Sequence, residues 1–151
     1  MPRIPYIHDM SEWEKSFSFC CPVKVRFSDT DAFGHVNNTK VFLYLEEARV
    51  EFFNKLGLMK TWANPKTENI IVTLDAHCHY LKQMFFGEQL KVYVKVNHIG
   101  NTSVDLHYMI KNENDEICLT SRGLIVQVAK STGKSVPWSE ETKEKFKKYL
   151  S

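Results

Sequence analysis

The feature that most constrains this chain is one long amphipathic helix followed by a run of alternating strands. Apolar residues recur at steps of three and four between about Asn38 and Leu56, which predicts a helix over that stretch. Asn37 or Asn38 is placed to cap its start, and Gly57 is placed to end it in a left-handed conformation. No other long helix is predicted in the interior of the chain. A single helix must therefore cover the apolar face of every strand.

Strands are predicted both before and after this helix in the sequence. A hairpin turn is expected at Gly100-Asn101, and Ser139 is expected to cap a short C-terminal helix. One helix cannot cover both faces of such a sheet, so the economical arrangement is an α+β fold in which a curved antiparallel sheet wraps around the helix. The alternation of apolar and polar residues places the strands at residues 23–27, 70–80, 90–96, 104–110 and 117–128.

Length and composition predict one globular domain over residues 1–151. Hydrophobic residues make up 43% of the chain and charged residues 25%, which is typical of a chain that buries a core. Twenty cationic residues nearly balance eighteen acidic ones, which argues against a nucleic-acid partner. No apolar run is long enough to span a membrane, and no secretory signal is expected at the amino end.

The four cysteines are expected to stay reduced. They form no C-x-x-C pair, and a chain of this size does not need covalent cross-links. Two of them, Cys20 and Cys21, are neighbours in sequence, a spacing that does not suit ordinary disulfide geometry. Reduced thiols are typical of a reducing compartment, so the predicted location is the cytoplasm.

The densest cluster of functional residue types lies between the first strand and the long helix. Asp29, Asp31, Gly34 and His35 occur there within seven residues. Backbone N–H groups at a helix N-terminus suit a developing oxyanion, and a partly desolvated carboxylate can act as a base or a nucleophile. The residues alone leave a structural alternative open, in which Asp29 only shapes a turn and the asparagines only cap the helix.

Other interpretations of the polar segments fail on spacing. An EF-hand would need oxygen ligands where Phe33 and Lys40 stand, so calcium binding is excluded. A phosphate-binding loop ending at residues 133–135 would need a glycine where Val128 stands. His77 and His79 share one face of a strand but lack a third metal ligand. No metal and no cofactor is therefore expected.

Two motifs in order resemble those of the hotdog-fold acyl-CoA thioesterases, the family that contains 4-hydroxybenzoyl-CoA thioesterase and the bacterial Tol-Pal-associated thioesterases. Residues 29–34 match its D-x-D-x-x-G motif, and residues 46–49 match its E-x-A-R motif on the helix. The run at residues 35–38, His-Val-Asn-Asn, resembles plant acyl-ACP thioesterases, although Phe33 replaces an asparagine of that family. The resemblance implies one hotdog domain with its core at about residues 20–138.

The resemblance also implies roles for individual residues. Asp31 matches the family's catalytic carboxylate, which acts as a nucleophile or as a general base on water. His35 is then a proton donor or a wall of the pocket. Glu46 matches a helix glutamate that faces the site and could pair with Arg49, although a purely structural role is as well supported. The substrate-binding residues implied by the resemblance, whose backbone N–H groups lie near the thioester carbonyl, are Gly34, Val36 and Asn37.

The implied activity is hydrolysis of an acyl-CoA thioester, or of an acyl-ACP thioester, to a free acid and a thiol carrier. Two alternatives stay open: a non-catalytic module that binds acyl thioesters for regulation, and a dehydratase that relies on His35. One helix wrapped by a sheet leaves a free strand edge and an apolar face, so we expect a homodimer or a homotetramer.

Overall fold

The computed structural model describes residues 3–151, so Met1 and Pro2 of the predicted domain lie outside the described residues. A single 3-10 turn, Phe27–Asp29, follows the first strand. The helices and strands in chain order are α1 (Met10–Lys15), β1 (Phe19–Lys24), α2 (Val41–Lys55), α3 (Met59–Trp62), β2 (Asn69–Tyr80), β3 (Gln89–Ile99), β4 (Ser103–Lys111), β5 (Ile117–Ala129) and α4 (Glu140–Lys147).

The five strands form one antiparallel sheet in the order β1-β3-β4-β5-β2. Helix α2 packs its apolar side against one face of this sheet, where Phe52 and Phe53 are fully buried. The Phe52 ring lies 5.3 Å from the ring of Phe19 on β1, in an edge-to-face arrangement. The predicted α+β architecture of one long helix covered by an antiparallel sheet is therefore confirmed.

Several predicted boundaries are confirmed at the ends of the helices. Gly57 has a φ of 75°, and the N–H of Leu58 donates to the carbonyl of Phe53 at 3.0 Å, which closes the end of α2. The Ser139 hydroxyl accepts the N–H of Thr142 at 3.2 Å and caps α4. Glycine and serine at these positions act through local backbone geometry, which is why the sequence identifies them.

Three predicted boundaries are wrong. Strand β1 begins at Phe19, four residues earlier than predicted, because Phe19 pairs with Val94 while Phe27 has left the sheet and is 76% exposed. The β3–β4 connection comprises residues 100–102 and is one residue longer than the predicted turn. Helix α2 begins at Val41, because the Asn37 carboxamide instead accepts the N–H and hydroxyl of Thr39 and shapes a separate turn.

The loop before α2 is anchored by a buried carboxylate. The Asp29 side chain is 2% exposed, and it accepts the Tyr44 hydroxyl at 2.7 Å and the Arg26 N–H at 3.1 Å. Burial raises the pKa of Asp29, but the Tyr44 and Arg26 hydrogen bonds and the charges of Arg26 and Lys40 outweigh it and leave that pKa lowered. An ionised Asp29 thus attaches the loop to the first turn of α2.

Replacement of this hydroxyl tests the anchor. In Tyr44→Phe the ionised Asp29 carboxylate loses a donor, and a hydrogen bond to a charged group contributes about 1.5–3 kcal/mol. We expect the free energy of unfolding, measured by urea denaturation at about pH 7, to fall by roughly that amount. Because the pKa of Asp29 is lowered by folding, its contribution is present above its ordinary pKa of 3.8 and is lost as the pH falls below that value. The difference between variant and parent should shrink accordingly.

The matched control is Tyr80→Phe. The Tyr80 hydroxyl also donates a hydrogen bond at 2.7 Å, but its acceptor is the neutral Asn38 carbonyl and its side chain is 50% exposed. We expect a smaller loss, about 0.5–1.5 kcal/mol, with no dependence on pH in the acid range. Equal losses in the two variants would show that Asp29 is not a charged anchor.

Candidate active site

A pocket of about 420 Å³ opens beside the loop that Asp29 anchors. One wall comes from this loop and the first residue of α2, and the other comes from the end of β2 and the segment that follows it. The two walls are joined by a hydrogen bond of 2.8 Å from the Val36 N–H to the Met84 carbonyl. The lining residues are Asp31, His35, Val36, Asn38, Val41, Tyr80, Leu81, Lys82, Gln83 and Met84.

Asp31 is the carboxylate of this pocket. Its Oδ1 accepts the N–H of Phe33 at 2.9 Å, and its backbone N–H donates to the His35 carbonyl at 2.9 Å, so the side chain has a fixed direction. Its Oδ2 accepts no hydrogen bond from any residue within 3–151. The half-buried Asp31 side chain therefore presents one free oxygen that can accept a proton or attack a carbon.

His35 lies next to Asp31 in the same wall. Its ring is half-buried and stacks on Phe33, with the ring centroids 6.4 Å apart and the planes 20° from parallel. Its Nδ1 lies 3.4 Å from the Val36 carbonyl, a long contact that leaves the imidazole weakly held. The structure thus brings together two of the three residues that the sequence predicts as catalytic.

The backbone donors differ from the expectation. The N–H groups of Gly34, Val36 and Asn37 donate to the carbonyls of Asp31, Met84 and Asp29, respectively, at 2.8–3.1 Å. These three N–H groups cannot bind a substrate while they donate to backbone carbonyls. They do so because the loop folds back on itself and α2 starts later than predicted. In the first turn of α2, the N–H groups of Val41 and Phe42 donate to no backbone carbonyl within residues 3–151.

The three predicted substrate-binding residues have different positions. Val36 lines the pocket, whereas Gly34 and Asn37 do not. Gly34 has a φ of 87°, so it permits the tight turn that brings His35 back beside Asp31. Asn38, the neighbour of Asn37, lines the pocket in its place.

Glu46 is not in this pocket. It lies on the exposed side of α2 and lines a crevice of about 250 Å³ between this helix and strands β2 and β5. The predicted pair with Arg49 is wrong, since Arg49 Nη1 donates to the buried Tyr108 hydroxyl at 3.2 Å and no carboxylate of residues 3–151 lies within 4.0 Å of it. Glu46 and Arg49 line the same crevice, but the Arg49 guanidinium is directed inward to Tyr108 of β4. Within one copy of the chain, Asp31 and Glu46 face separate cavities.

The sequence does not predict the hydrogen bonds of two tyrosine hydroxyls that shape the site. Tyr44 holds Asp29, and Tyr80 lines the pocket while its hydroxyl binds the Asn38 carbonyl at 2.7 Å. A signal for Tyr44 exists, because it occupies the apolar stripe of α2 and a buried hydroxyl requires a partner. Lys82 also lines the pocket, where an ion pair with Glu116 raises the pKa of the lysine.

No group of three or more His, Cys, Asp or Glu side chains within residues 3–151 is arranged to hold a metal ion. His77, one of the two strand histidines, instead lies 3.8 Å from the Asp75 carboxylate. Among the helices of this same range, none is long and apolar enough to cross a membrane.

Known proteins resemble the chain in sequence and in structure. The Bacillus subtilis protein YsmA is 42% identical over 144 residues, which cover 94% of this chain and 95% of that protein. A 1,4-dihydroxy-2-naphthoyl-CoA hydrolase from Prochlorococcus marinus is 26% identical over 109 residues, which cover 68% of this chain and 73% of that one. The structure of a predicted thioesterase from Bacillus stearothermophilus superposes with a TM-score of 0.79 at 28% identity and covers 88% of this chain and 96% of the other.

The pattern of the thioesterase-like superfamily matches residues 25–146, which include the loop, the long helix and all strands after it. The fold and the pocket described above agree with that match, and the family supports thioester hydrolase activity. The chain therefore belongs to the thioesterase-like superfamily and has the hotdog fold.

Proposed function

We propose that this protein hydrolyses acyl-CoA thioesters to a free acid and coenzyme A, with Asp31 as the catalytic carboxylate. The main support is the free Oδ2 of Asp31, which lies in a pocket that is also lined by the first residue of α2. A module that only binds thioesters has no use for a half-buried carboxylate with an unused oxygen. Asp31 therefore favours hydrolysis over the binding alternative.

The reaction needs a base or nucleophile and a site for the oxyanion. Asp31 either attacks the thioester carbon directly or takes a proton from the water that attacks it. As the carbon becomes tetrahedral, negative charge moves to the carbonyl oxygen, and the N–H groups of Val41 and Phe42 are the free donors at the helix start. The C–S bond then breaks, and the thiolate leaves with a proton that we assign to His35. Where Asp31 itself attacked the carbon, the acyl group is now a mixed anhydride with this carboxylate, and water hydrolyses the anhydride to the free acid and regenerates Asp31.

Coenzyme A is the proposed carrier for two reasons. The Prochlorococcus marinus relative acts on a CoA ester, and Phe33 replaces the asparagine expected of the acyl-ACP branch.

The pocket volume of about 420 Å³ suits part of a small-molecule substrate. An apolar wall at Val36, Val41 and Met84 fits an acyl group better than a charged one.

We also propose that two copies pair along β2. This strand is at the edge of the sheet, is twelve residues long, contains no lysine or proline, and exposes 62% of Leu74. A long, exposed edge with few charges is a template for another strand. The crevice that holds Glu46 opens beside the same strand, so pairing would place the helix glutamate of each copy near its partner.

Cytoplasmic location remains a prediction from the cysteines.

The first test is the Asp31→Asn variant. Asparagine keeps the size of the side chain but cannot act as a base or nucleophile, and general-base catalysis contributes about 100- to 10,000-fold. We expect kcat for release of thiol from a panel of acyl-CoA esters to fall at least about 100-fold, with KM nearly unchanged. Acyl-ACP in the same panel separates the two carriers.

Two matched variants control for loss of charge. Glu47→Gln makes the same change at an exposed position of α2 outside the pocket, and it should leave turnover unchanged. Asp29→Asn should lower stability through the loop anchor. If Asp31→Asn kept the parental rate while a folded Asp29→Asn enzyme was inactive, the catalytic carboxylate would be Asp29 and the assignment to Asp31 would be wrong. Absence of thiol release from every ester by the parent protein would overturn the proposed function.

The second test concerns the assembly. Light scattering at micromolar protein should give the mass of a dimer or a tetramer, because an unpaired β2 edge is otherwise exposed. Leu74→Lys puts a charge on this edge and should shift the protein toward monomer. Leu150→Lys, a change of the same type on a 45% exposed leucine outside β2, should not. A parent protein that is monomeric under these conditions contradicts pairing.

A further inference from the structure

The residues before β1 form a separate layer of the protein. Residues 3–18, here called the strap, contain α1 and precede the 25–146 region matched by the superfamily. They lie on the sheet face opposite α2, since they contact His107 of β4, whereas the adjacent Tyr108 points to Arg49 of α2. Within the strap, Ile4 is 4% exposed and Trp13 is 6% exposed, so it covers this face closely.

Polar contacts attach the strap to the sheet. The Trp13 indole N–H donates to His107 Nδ1 at 2.9 Å, and this bond is buried. Glu14 pairs with Lys111 at 2.6 Å, and the Tyr6 hydroxyl lies 3.0 Å from the Thr120 hydroxyl. Each attachment joins one strap side chain to one polar side chain of the sheet.

The Trp13 bond fixes the protonation state of His107. An indole N–H can only donate, so Nδ1 of His107 must be the unprotonated nitrogen and Nε2 must carry the hydrogen. A protonated imidazole carries hydrogen on both nitrogens and would direct an N–H at the Trp13 N–H. Attachment of Trp13 and protonation of Nδ1 therefore exclude each other.

The neutral form of His107 also has a hydrogen-bond donor that lacks an acceptor. His107 is 1% exposed, and its Nε2 has no hydrogen-bond partner among residues 3–151. The Asp105 Oδ2 lies 3.8 Å from this nitrogen and accepts a hydrogen bond from Asn97 at 3.0 Å, while Oδ1 accepts one from Arg122 at 2.9 Å. A buried donor without an acceptor reduces the stability that the contact can provide. The attachment at His107 is thus limited in strength.

We propose that the strap is a pH-dependent cover, which leaves the outer face of the sheet when His107 takes up a proton. Two cations and one carboxylate act on His107 through their charges, namely Lys95 of β3, Arg122 of β5 and Asp105 of β4. Lys111 of β4 is instead paired with the carboxylates of Glu14 and Asp115. A proton on His107 adds a further positive charge there. This inference does not depend on the proposed hydrolysis.

The groups that face His107 act in opposite directions. Burial lowers the pKa of His107 to about 4, the nearby Asp105 charge raises it, and the charges of Lys95 and Arg122 lower it. Tyr6, whose ring lies 5.1 Å away, has a pKa raised by burial to about 12 and stays neutral. The other histidine that meets the strap, His79, binds the Tyr6 hydroxyl, which can donate or accept and so tolerates either state of that ring.

The attachment of the strap is expected to weaken as the pH falls. A depressed pKa in the closed state means that attachment is fully favoured above the ordinary histidine pKa of 6.5 and is lost as the pH falls toward about 4. Between about pH 7 and pH 5, the equilibrium constant for opening of the strap should rise roughly 10- to 20-fold. Core strands should show no comparable change.

Native-state amide hydrogen exchange on the full chain tests the proposal. Exchange in residues 9–16, corrected for the intrinsic pH dependence, should show the 10- to 20-fold rise between about pH 7 and pH 5, while residues 92–96 of β3 stay protected. In His107→Asn the carboxamide oxygen can still accept the Trp13 N–H but cannot take up a proton, so the rise should vanish. His98→Asn removes an exposed histidine of β3 and should retain it.

A second variant keeps the test independent of the folding of His107→Asn. Trp13→Phe removes the indole donor, so the strap should already exchange faster at about pH 7 and respond less to acid. An unchanged rise in either His107→Asn or Trp13→Phe would overturn the proposal, as would a parent strap whose protection does not depend on pH. Equal loss of protection in residues 92–96 would show global unfolding instead and would also overturn it.

Discussion

The packing of Phe52 and Phe53 against the sheet determines where the functional parts of this protein lie. Both rings are fully buried between α2 and the strands, so the helix has one position along the sheet. Its first turn then meets the loop from β1, and the Asp29–Tyr44 hydrogen bond joins the two. The pocket exists because a helix fixed by apolar burial holds a polar loop at its N-terminal end.

Two carboxylates two residues apart have opposite environments in that loop. Asp29 is buried and accepts two hydrogen bonds, and its lowered pKa shows that its negative charge is stabilised by the fold. Asp31 uses one oxygen for the Phe33 N–H and leaves the other toward the pocket. The first is an anchor that would be costly to alter, and the second can change its bonding during a reaction. The D-x-D spacing thus separates a structural role from a chemical one.

How far the sequence predicts this arrangement depends on the range of each interaction. Periodicity predicts α2 and the long strands, and Gly57 predicts the end of the helix, because these signals are local. The sequence also places Asp31 and His35 in one loop, and the structure finds them in one pocket wall. It fails at the pair of Glu46 with Arg49 and at the backbone donors, because tertiary contacts decide whether Arg49 turns to Tyr108 and whether the Val36 N–H meets Met84.

The strap was not predictable for the same reason, and it shows how the two faces of the sheet differ. On the inner face, apolar side chains of α2 meet apolar side chains of the strands, and such contacts have no charge to titrate. On the outer face, β4 presents His107 and Lys111, and the strap meets them with Trp13 and Glu14. A short helix with one buried tryptophan gives no periodic signal, since its fit depends on polar partners about ninety residues away. The inner contacts therefore hold the fold at any moderate pH, whereas the outer contacts hold only while their protonation states match.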